Sequence, residues 1–250
     1  MTTNTAKPTV VLVHGAFADS SSWNGVIERL HRNGYPVIAV ANPLRGLQPD
    51  AAYLRSVLES VDGPIVLAGH SYGGSVLSEA VDGTADVRAL VFIASFQLDV
   101  GESTGELAAK FPGGELGPAL REVPVPTADG TGTDLSIEQD EFRRVFAADV
   151  PEQTTALMAA TQRPITANAL SDAVTNAGWK HVESWSLVTL EDLAIPADSM
   201  RFMSERANSH TVEIHASHGV TVSQPEAVAD LIDEAARTTV PAASELAVAG

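Results

Sequence analysis

The sequence predicts an α/β chain: a mostly parallel sheet flanked by helices, with a helical insertion over residues 97–180. Three observations predict it. Short continuous apolar runs alternate with stretches of helical period in the first hundred residues. That rhythm stops near Gln97, and it resumes after residue 180. A strand covered on both faces reads as an unbroken apolar run, and strand–helix–strand units at short spacing close as right-handed crossovers onto a parallel neighbour.

Val10–Val13 is the first such run, Val37–Val40 the second, Ile65–Ala68 the third and Leu90–Ile93 the fourth. Between them, Trp23–His31 carries Trp23, Val26, Ile27 and Leu30 on one helical stripe. Ala51–Val61 does the same with Leu54, Val57, Leu58 and Val61, and Gly74–Val81 forms a third helical segment. Within 97–180, Phe111–Gly114 and Pro124–Gly132 are rich in Gly and Pro. Ser136–Ala148, Pro151–Thr161 and Thr166–Ala177 have helical period, and no strand-like run stands out. This segment reads as a helical lid inserted into a core made of residues 1–96 and 181–250. Trp185–Val188 then reads as a strand and Asp198–Ala207 as a helix with Met200, Met203 and Ala207 on one stripe. Thr211–Ala216 alternates with Val212, Ile214 and Ala216 on one face. Gln224–Arg237 is a helix turning Val228, Leu231, Ile232 and Ala235 inward, and Thr238–Gly250 is expected to fray.

Composition narrows the chemistry. Among 250 residues, 15 Lys and Arg face 32 Asp and Glu, a formal charge of −17. Such a field repels phosphate backbones and anionic lipid, so neither nucleic acid nor a membrane is an expected partner. With 44% apolar residues the chain can build a large core. It holds no Cys, which excludes disulfides, thiolate metal sites and a Cys nucleophile. No stretch reaches the roughly 18 apolar residues of a span. The start, Met1–Pro8, has neither the basic nor the apolar part of a secretory leader, so a cytoplasmic protein is expected.

The strongest local signal is Gly69-His70-Ser71-Tyr72-Gly73, with a strand before it and a helix after it. A sharp strand-to-helix turn lifts Ser71 above the carboxyl edge of the sheet, and flanking glycines relieve the crowding. The helix N-terminus beneath favours a developing anion. Such an anion needs a second donor from a neighbouring loop. His14-Gly15-Ala16-Phe17, after the first strand, is the candidate loop; the Tyr72 N–H and the Ala16 N–H are the expected pair, with Phe17 the rival to Ala16. A serine needs a base. Of seven histidines, His218 lies past a strand end, in the loop before the last helix, at the same edge as Ser71. His210, His215 and His218 are spaced by five and three, which does not gather three metal ligands on one helix face, so no metal is expected. The base needs a buried carboxylate to orient it. Asp192 follows the Trp185–Val188 strand and is favoured over Glu191.

Together these residues resemble the α/β-hydrolase superfamily, over nearly the whole chain and in the order Ser71, Asp192, His218. Within it the chain is similar to the small plant methyl esterases and hydroxynitrile lyases and their bacterial relatives. The matching pieces are His14-Gly15-Ala16 with Trp23, the Gly69–Gly73 elbow, Thr189-Leu190-Glu191-Asp192-Leu193-Ala194-Ile195-Pro196, and His218. The lyases of that group use a Lys after the histidine and a Thr in the first loop; here those positions are Gly219 and Gly15. The resemblance therefore implies cofactor-free hydrolysis of a small carboxylic ester by a serine nucleophile. Lyase or cofactor-free oxygenase chemistry on the same fold, or a non-catalytic binder, are the alternatives. Phe17 and Tyr72 flank the expected anion hole. Phe111, Phe146, Leu157, Met158 and Trp179 are candidates for an apolar substrate wall, though each equally fits packing within the insertion.

Overall fold

A computed structural model describes residues 7–127 and 130–240. The expected fraying of the tail lies, beyond residue 240, outside the described residues, as do six of the eight residues of the Met1–Pro8 start. The central sheet has six parallel strands: β1 (Thr9–Val13), β2 (Val37–Val40), β3 (Ile65–His70), β4 (Val87–Ile93), β8 (Ser184–Thr189) and β9 (His210–Ile214), in the order β2-β1-β3-β4-β8-β9. The inner strands β1, β3, β4 and β8 are buried almost throughout, which is why their sequences run apolar without alternation. The two edge strands differ. In β9, Val212 is 42% exposed, because nothing among the described residues covers that margin; its alternation does not translate into a buried face.

The chain leaves β1 toward β2 through α1 (Asn24–Arg32), then returns through α2 (Leu47–Glu59) to β3 on the other side of β1. Right-handed crossovers in opposite directions place these helices on opposite faces of the sheet. They also open a crevice at the carboxyl ends of β1 and β3, the usual place for a ligand in such sheets. The helix α3 (Tyr72–Ala80) follows β3 and is buried along its whole length against α2 and the sheet. On the carboxyl side of the insertion, α8 (Ala197–Arg206) packs on β8 through Met200 and Met203. The short α9 (Val220–Ser223) leads into α10 (Pro225–Thr239), which buries Val228, Leu231, Ile232 and Ala235 against α1, β4 and β8.

The segment 97–180 is not purely helical. It contains α4 (Thr104–Ala108), α5 (Gln139–Phe146), α6 (Glu152–Thr161) and α7 (Ala167–Ser171), but also an antiparallel sheet of β5 (Leu120–Thr127), β6 (Gly130–Ile137) and β7 (Ile165–Thr166). Two features hide this hairpin in the sequence. β5 is exposed along most of its length, so it shows no period-two apolar pattern. Pro124 and Pro126 also sit in it, as Pro does on sheet margins, where a ladder N–H is not required. Part of the stretch read as a Gly- and Pro-rich loop is therefore strand. The Thr166–Ala177 pattern likewise yields only the five residues of α7. Hydrogen bonds join this segment to residues before it: Arg45 reaches Asp134 at 2.8 Å and the Pro164 carbonyl at 2.7 Å, and Glu79 accepts from the Thr175 N–H at 2.6 Å.

Candidate active site

Ser71 stands at φ 54, ψ −126, a region that side chains other than Gly avoid. Holding it there costs on the order of 1–3 kcal/mol, and such strain collects where function demands it. The neighbourhood is built to tolerate the turn. A Cβ on Gly73 would lie 2.4 Å from the Val13 carbonyl oxygen, and one on Gly74 would lie 2.1 Å from Ser95 Oγ. The Ser71 carbonyl accepts from Ser95 Oγ at 2.7 Å, and its N–H donates to the Ile93 carbonyl at 3.2 Å. The end of β4 thus holds the turn in place from the side.

The first loop presses against the serine. A Cβ on Gly15 would meet Ser71 Cβ at 2.7 Å and Oγ at 3.2 Å, so only Gly fits there. His14 is wholly buried; its Nδ1 donates to the Gly15 carbonyl at 2.9 Å and so fixes the loop. Burial pushes its pKa down to about 4, so it is neutral at pH 7. None of the Ala16, Phe17 and Tyr72 N–H groups donates to a backbone carbonyl among the described residues, so each is free to donate to a bound oxygen. Tyr72 turns its ring away from that point: its hydroxyl donates to Asp50 Oδ2 at 2.9 Å in a buried pair, and burial pushes the phenol pKa up.

His218 follows β9 and is 1% exposed. Its Nδ1 donates to Asp192 Oδ2 at 2.8 Å. That bond fixes the tautomer with a lone pair on Nε2. Asp192 is saturated: Oδ2 also accepts from Thr189 Oγ1 at 2.8 Å, and Oδ1 accepts from the Ala194 and Ile195 N–H groups, both at 2.8 Å. Two backbone donors and a hydroxyl hold the carboxylate in place against the imidazole. Glu191, the rival carboxylate, is at the surface with His215. His210 pairs with Glu183. The three C-terminal histidines therefore face three different carboxylates.

Ser71 and His218 line one cavity of about 60 Å³, with Ala16, Phe17, Tyr72, Phe96 and Ile195 from the core, and Thr104, Ala108, Leu116 and Leu170 from the insertion. Its wall is almost wholly apolar. The predicted wall residues scatter. Phe17 is on the cavity. Phe146 is off the cavity and behind His218: its ring meets His218 edge-on at 4.8 Å and His70 at 6.2 Å. Phe111 packs on Phe202 at 5.9 Å, away from the serine. Trp179 donates from Nε1 to the Leu98 carbonyl at 2.7 Å, within the segment 97–180, and lies near the Arg206 guanidinium, so it is not on the cavity. Met158 and Leu157 line a second, larger cavity that Phe17 also borders.

Three contributors escape sequence reasoning. Thr189 Oγ1 holds Asp192; its place three residues before the carboxylate was the available signal. Ser95 has no local signal, since only the order of strands brings it beside Ser71. His70 donates from Nε2 to the His218 carbonyl at 2.9 Å, holding the backbone of the base. Burial, and then the neighbouring His218, push the His70 pKa well below the usual imidazole value, so it stays neutral.

A parallel sheet wound about a crevice, with a serine elbow, an oriented histidine and a buried carboxylate at its carboxyl edge, defines a class. Residues 10–231 match the alpha/beta hydrolase family, and the chain belongs to it. It is 26% identical to the alpha/beta hydrolase nvfD of Aspergillus novofumigatus (strain IBT 16806), over 92% of this chain and 97% of that relative. Among solved structures it is similar to polyneuridine aldehyde esterase, with a TM-score of 0.79 and 21% identity over 91% of this chain and 98% of the other. It is also similar to the methylesterase protein MES16 from Arabidopsis, with a TM-score of 0.77 and 17% identity over 92% and 99%. A third is a pyrethroid hydrolase from Sphingobium faniae JZ-2, at 0.74 and 19% over 94% and 98%. These likenesses show the shared fold. Among the described residues no helix is long and apolar enough to cross a membrane.

Proposed function

We propose that the chain is a serine hydrolase that cleaves a small carboxylic ester through an acyl-enzyme. The observation that carries this reading is the strained Ser71 sharing one apolar cavity with His218, whose Nδ1 is held by Asp192. Ser71 Oγ bonds to the ester carbonyl carbon while its proton passes to His218 Nε2, and the carbonyl π pair moves onto oxygen. The Ala16 and Tyr72 N–H groups receive that charge. Collapse expels the alkoxide, which takes the proton from Nε2 and leaves as alcohol. Water then adds to the acyl carbon, again giving its proton to Nε2, and the Ser71 oxygen departs with that proton as the acid is released.

The small apolar cavity suits an uncharged ester. Gly219 after the base and Gly15 in the first loop leave no cation to hold a cyanide, which weighs against lyase chemistry. The similar proteins named as esterases or hydrolases agree with the reading. The segment 97–180 acts as the lid of the site, and the substrate is the only partner the reading requires. The test is a screen of chain-length-graded esters against wild type and Ser71→Ala. Turnover by wild type with a loss of about 10⁴- to 10⁶-fold in the variant is expected. A burst of alcohol from a p-nitrophenyl ester marks the acyl-enzyme. A Ser71→Ala protein that keeps more than about a tenth of the activity overturns the mechanism.

A further inference from the structure

The cavity beside Ser71 measures about 60 Å³, well below the roughly 300–1,000 Å³ in which proteins bury a drug-sized ligand. It accommodates a compact group only. The second cavity measures about 320 Å³ and reaches that range. One side chain borders both: Phe17, held at φ 59 by the turn after the first loop and 3% exposed. A bulky aromatic in the left-handed region is a strained choice, and here it stands as the partition between the two spaces.

The second cavity runs between the turn Ala18–Asn24 and α6. Its apolar wall is Phe17, Leu157, Met158 and Val222. Leu157, 68% exposed, is the most exposed large apolar side chain among the described residues. The rest of the wall is hydroxyl and amide, including Ser22, Thr154, Thr161 and Gln162. The one ionisable wall residue is Asp19, whose Oδ1 already accepts from the Ser21 N–H at 2.7 Å and Oγ at 2.6 Å. Arg163, which follows Gln162 of the wall, acts on Asp19 by charge, whereas His14 is neutral at pH 7. The lining itself holds one carboxylate and no cation, and the Arg163 charge nearby is met by that carboxylate, so the cleft matches a neutral body with hydrogen-bonding groups.

We infer that this cleft seats the larger half of the substrate. The ester is lopsided: compact and apolar on one side of the carbonyl, and on the other larger, extended past Phe17 and bearing neutral hydrogen-bonding groups. This inference rests on the ester-hydrolase reading. It is tested with four esters: methyl acetate; the isomers 2-(4-hydroxyphenyl)ethyl acetate and methyl 3-(4-hydroxyphenyl)propanoate; and 2-phenylethyl 3-phenylpropanoate, bulky on both sides. One isomer is expected to exceed both methyl acetate and the doubly bulky ester by about tenfold or more in kcat/KM, and its identity tells which half the cleft holds. Thr161→Trp and Leu157→Trp, which fill the cleft, should each lower the ratio of that isomer to methyl acetate by about tenfold. A doubly bulky ester cut as well as either isomer, or a ratio unchanged in both variants, overturns the inference. Calorimetry of the intact isomers with Ser71→Ala separates the two proposals. Binding that Thr161→Trp abolishes, with no turnover of any ester by wild type, sinks the hydrolase reading and keeps the cleft. Turnover with binding indifferent to both tryptophans does the reverse.

Discussion

Asp192→Asn is the sharpest probe of the site, because the structure dictates how the amide must sit. Asp192 receives four bonds: the Ala194 and Ile195 N–H groups on Oδ1, and the Thr189 hydroxyl with His218 Nδ1 on Oδ2. Two fixed backbone donors demand an acceptor, so the Asn oxygen takes the Oδ1 place and the NH₂ group takes the other. Thr189 adapts by rotating its hydroxyl to accept. His218 cannot: an Nδ1–H would face an N–H. The imidazole must move its proton to Nε2, and it then has no lone pair for the Ser71 proton. A wrong tautomer costs about 10⁴-fold in kcat where it has been isolated in a serine triad, close to 5.5 kcal/mol of barrier. Folding should lose only about 1–3 kcal/mol, the worth of one charge-assisted bond. Asp192→Ala is the poorer experiment, since it strands two N–H groups and a hydroxyl in the interior at about 1–3 kcal/mol each. Initial rates on a short ester, beside a urea melt, decide the matter. A folded Asp192→Asn protein keeping more than about a hundredth of wild-type kcat refutes the assigned role of Asp192.

Other substitutions test the frame around the triad. Gly15→Ala drives a methyl to 2.7 Å from Ser71 Cβ and 2.8 Å from the His70 carbonyl oxygen; activity should fall at least about 10²-fold, as small displacements of a positioned group do, while circular dichroism stays native. Gly74→Ala, with its Cβ 2.4 Å from the Phe96 carbonyl oxygen, should lower the melting temperature, since neither backbone can yield; an unchanged melting temperature removes the packing argument. Ser71→Ala and His218→Ala should each cost nearly as much as both together; additive losses in the double variant mean the two do not act as a unit. Burial keeps His14 neutral in the fold, with a pKa near 4 against about 6.5 unfolded. The unfolded state therefore binds more protons between those values. Stability from this group is complete above pH 6.5 and is lost as pH falls toward 4, at up to about 1.4 kcal/mol per unit and roughly 3 kcal/mol in all. His70 adds to the same slope. Urea unfolding at pH 7 and pH 5 should show the loss, and His14→Gln should flatten it.

How much was legible follows from where each signal lives. The inner strands β1, β3, β4 and β8 announce themselves because both faces are covered, and the elbow because strand, Gly-flanked serine and helix are contiguous. Ser71, Asp192 and His218 each sit just past a strand end, so one rule about parallel sheets points to all three. The β5–β6 hairpin was not legible, since an exposed ribbon with two prolines carries neither period nor apolar run. The walls of the cavity were not legible either. Whether Phe146 or Trp179 meets substrate depends on how the insertion folds back over the core, and no local pattern records that. Phe146 packs edge-on against the His218 ring, a contact that no local pattern in the sequence records.

The imidazole of His218 is carried by the outermost ribbon of the sheet. β9 has a single neighbour, β8, among the described residues, and most of its side chains meet water. The serine is carried by β3, walled in on both sides. The two side chains of the proposed reaction are thus anchored in regions of unequal permanence, and margins open before centres. Warming should let the base drift while the nucleophile is still in place, so catalysis fades at temperatures where most of the ellipticity survives.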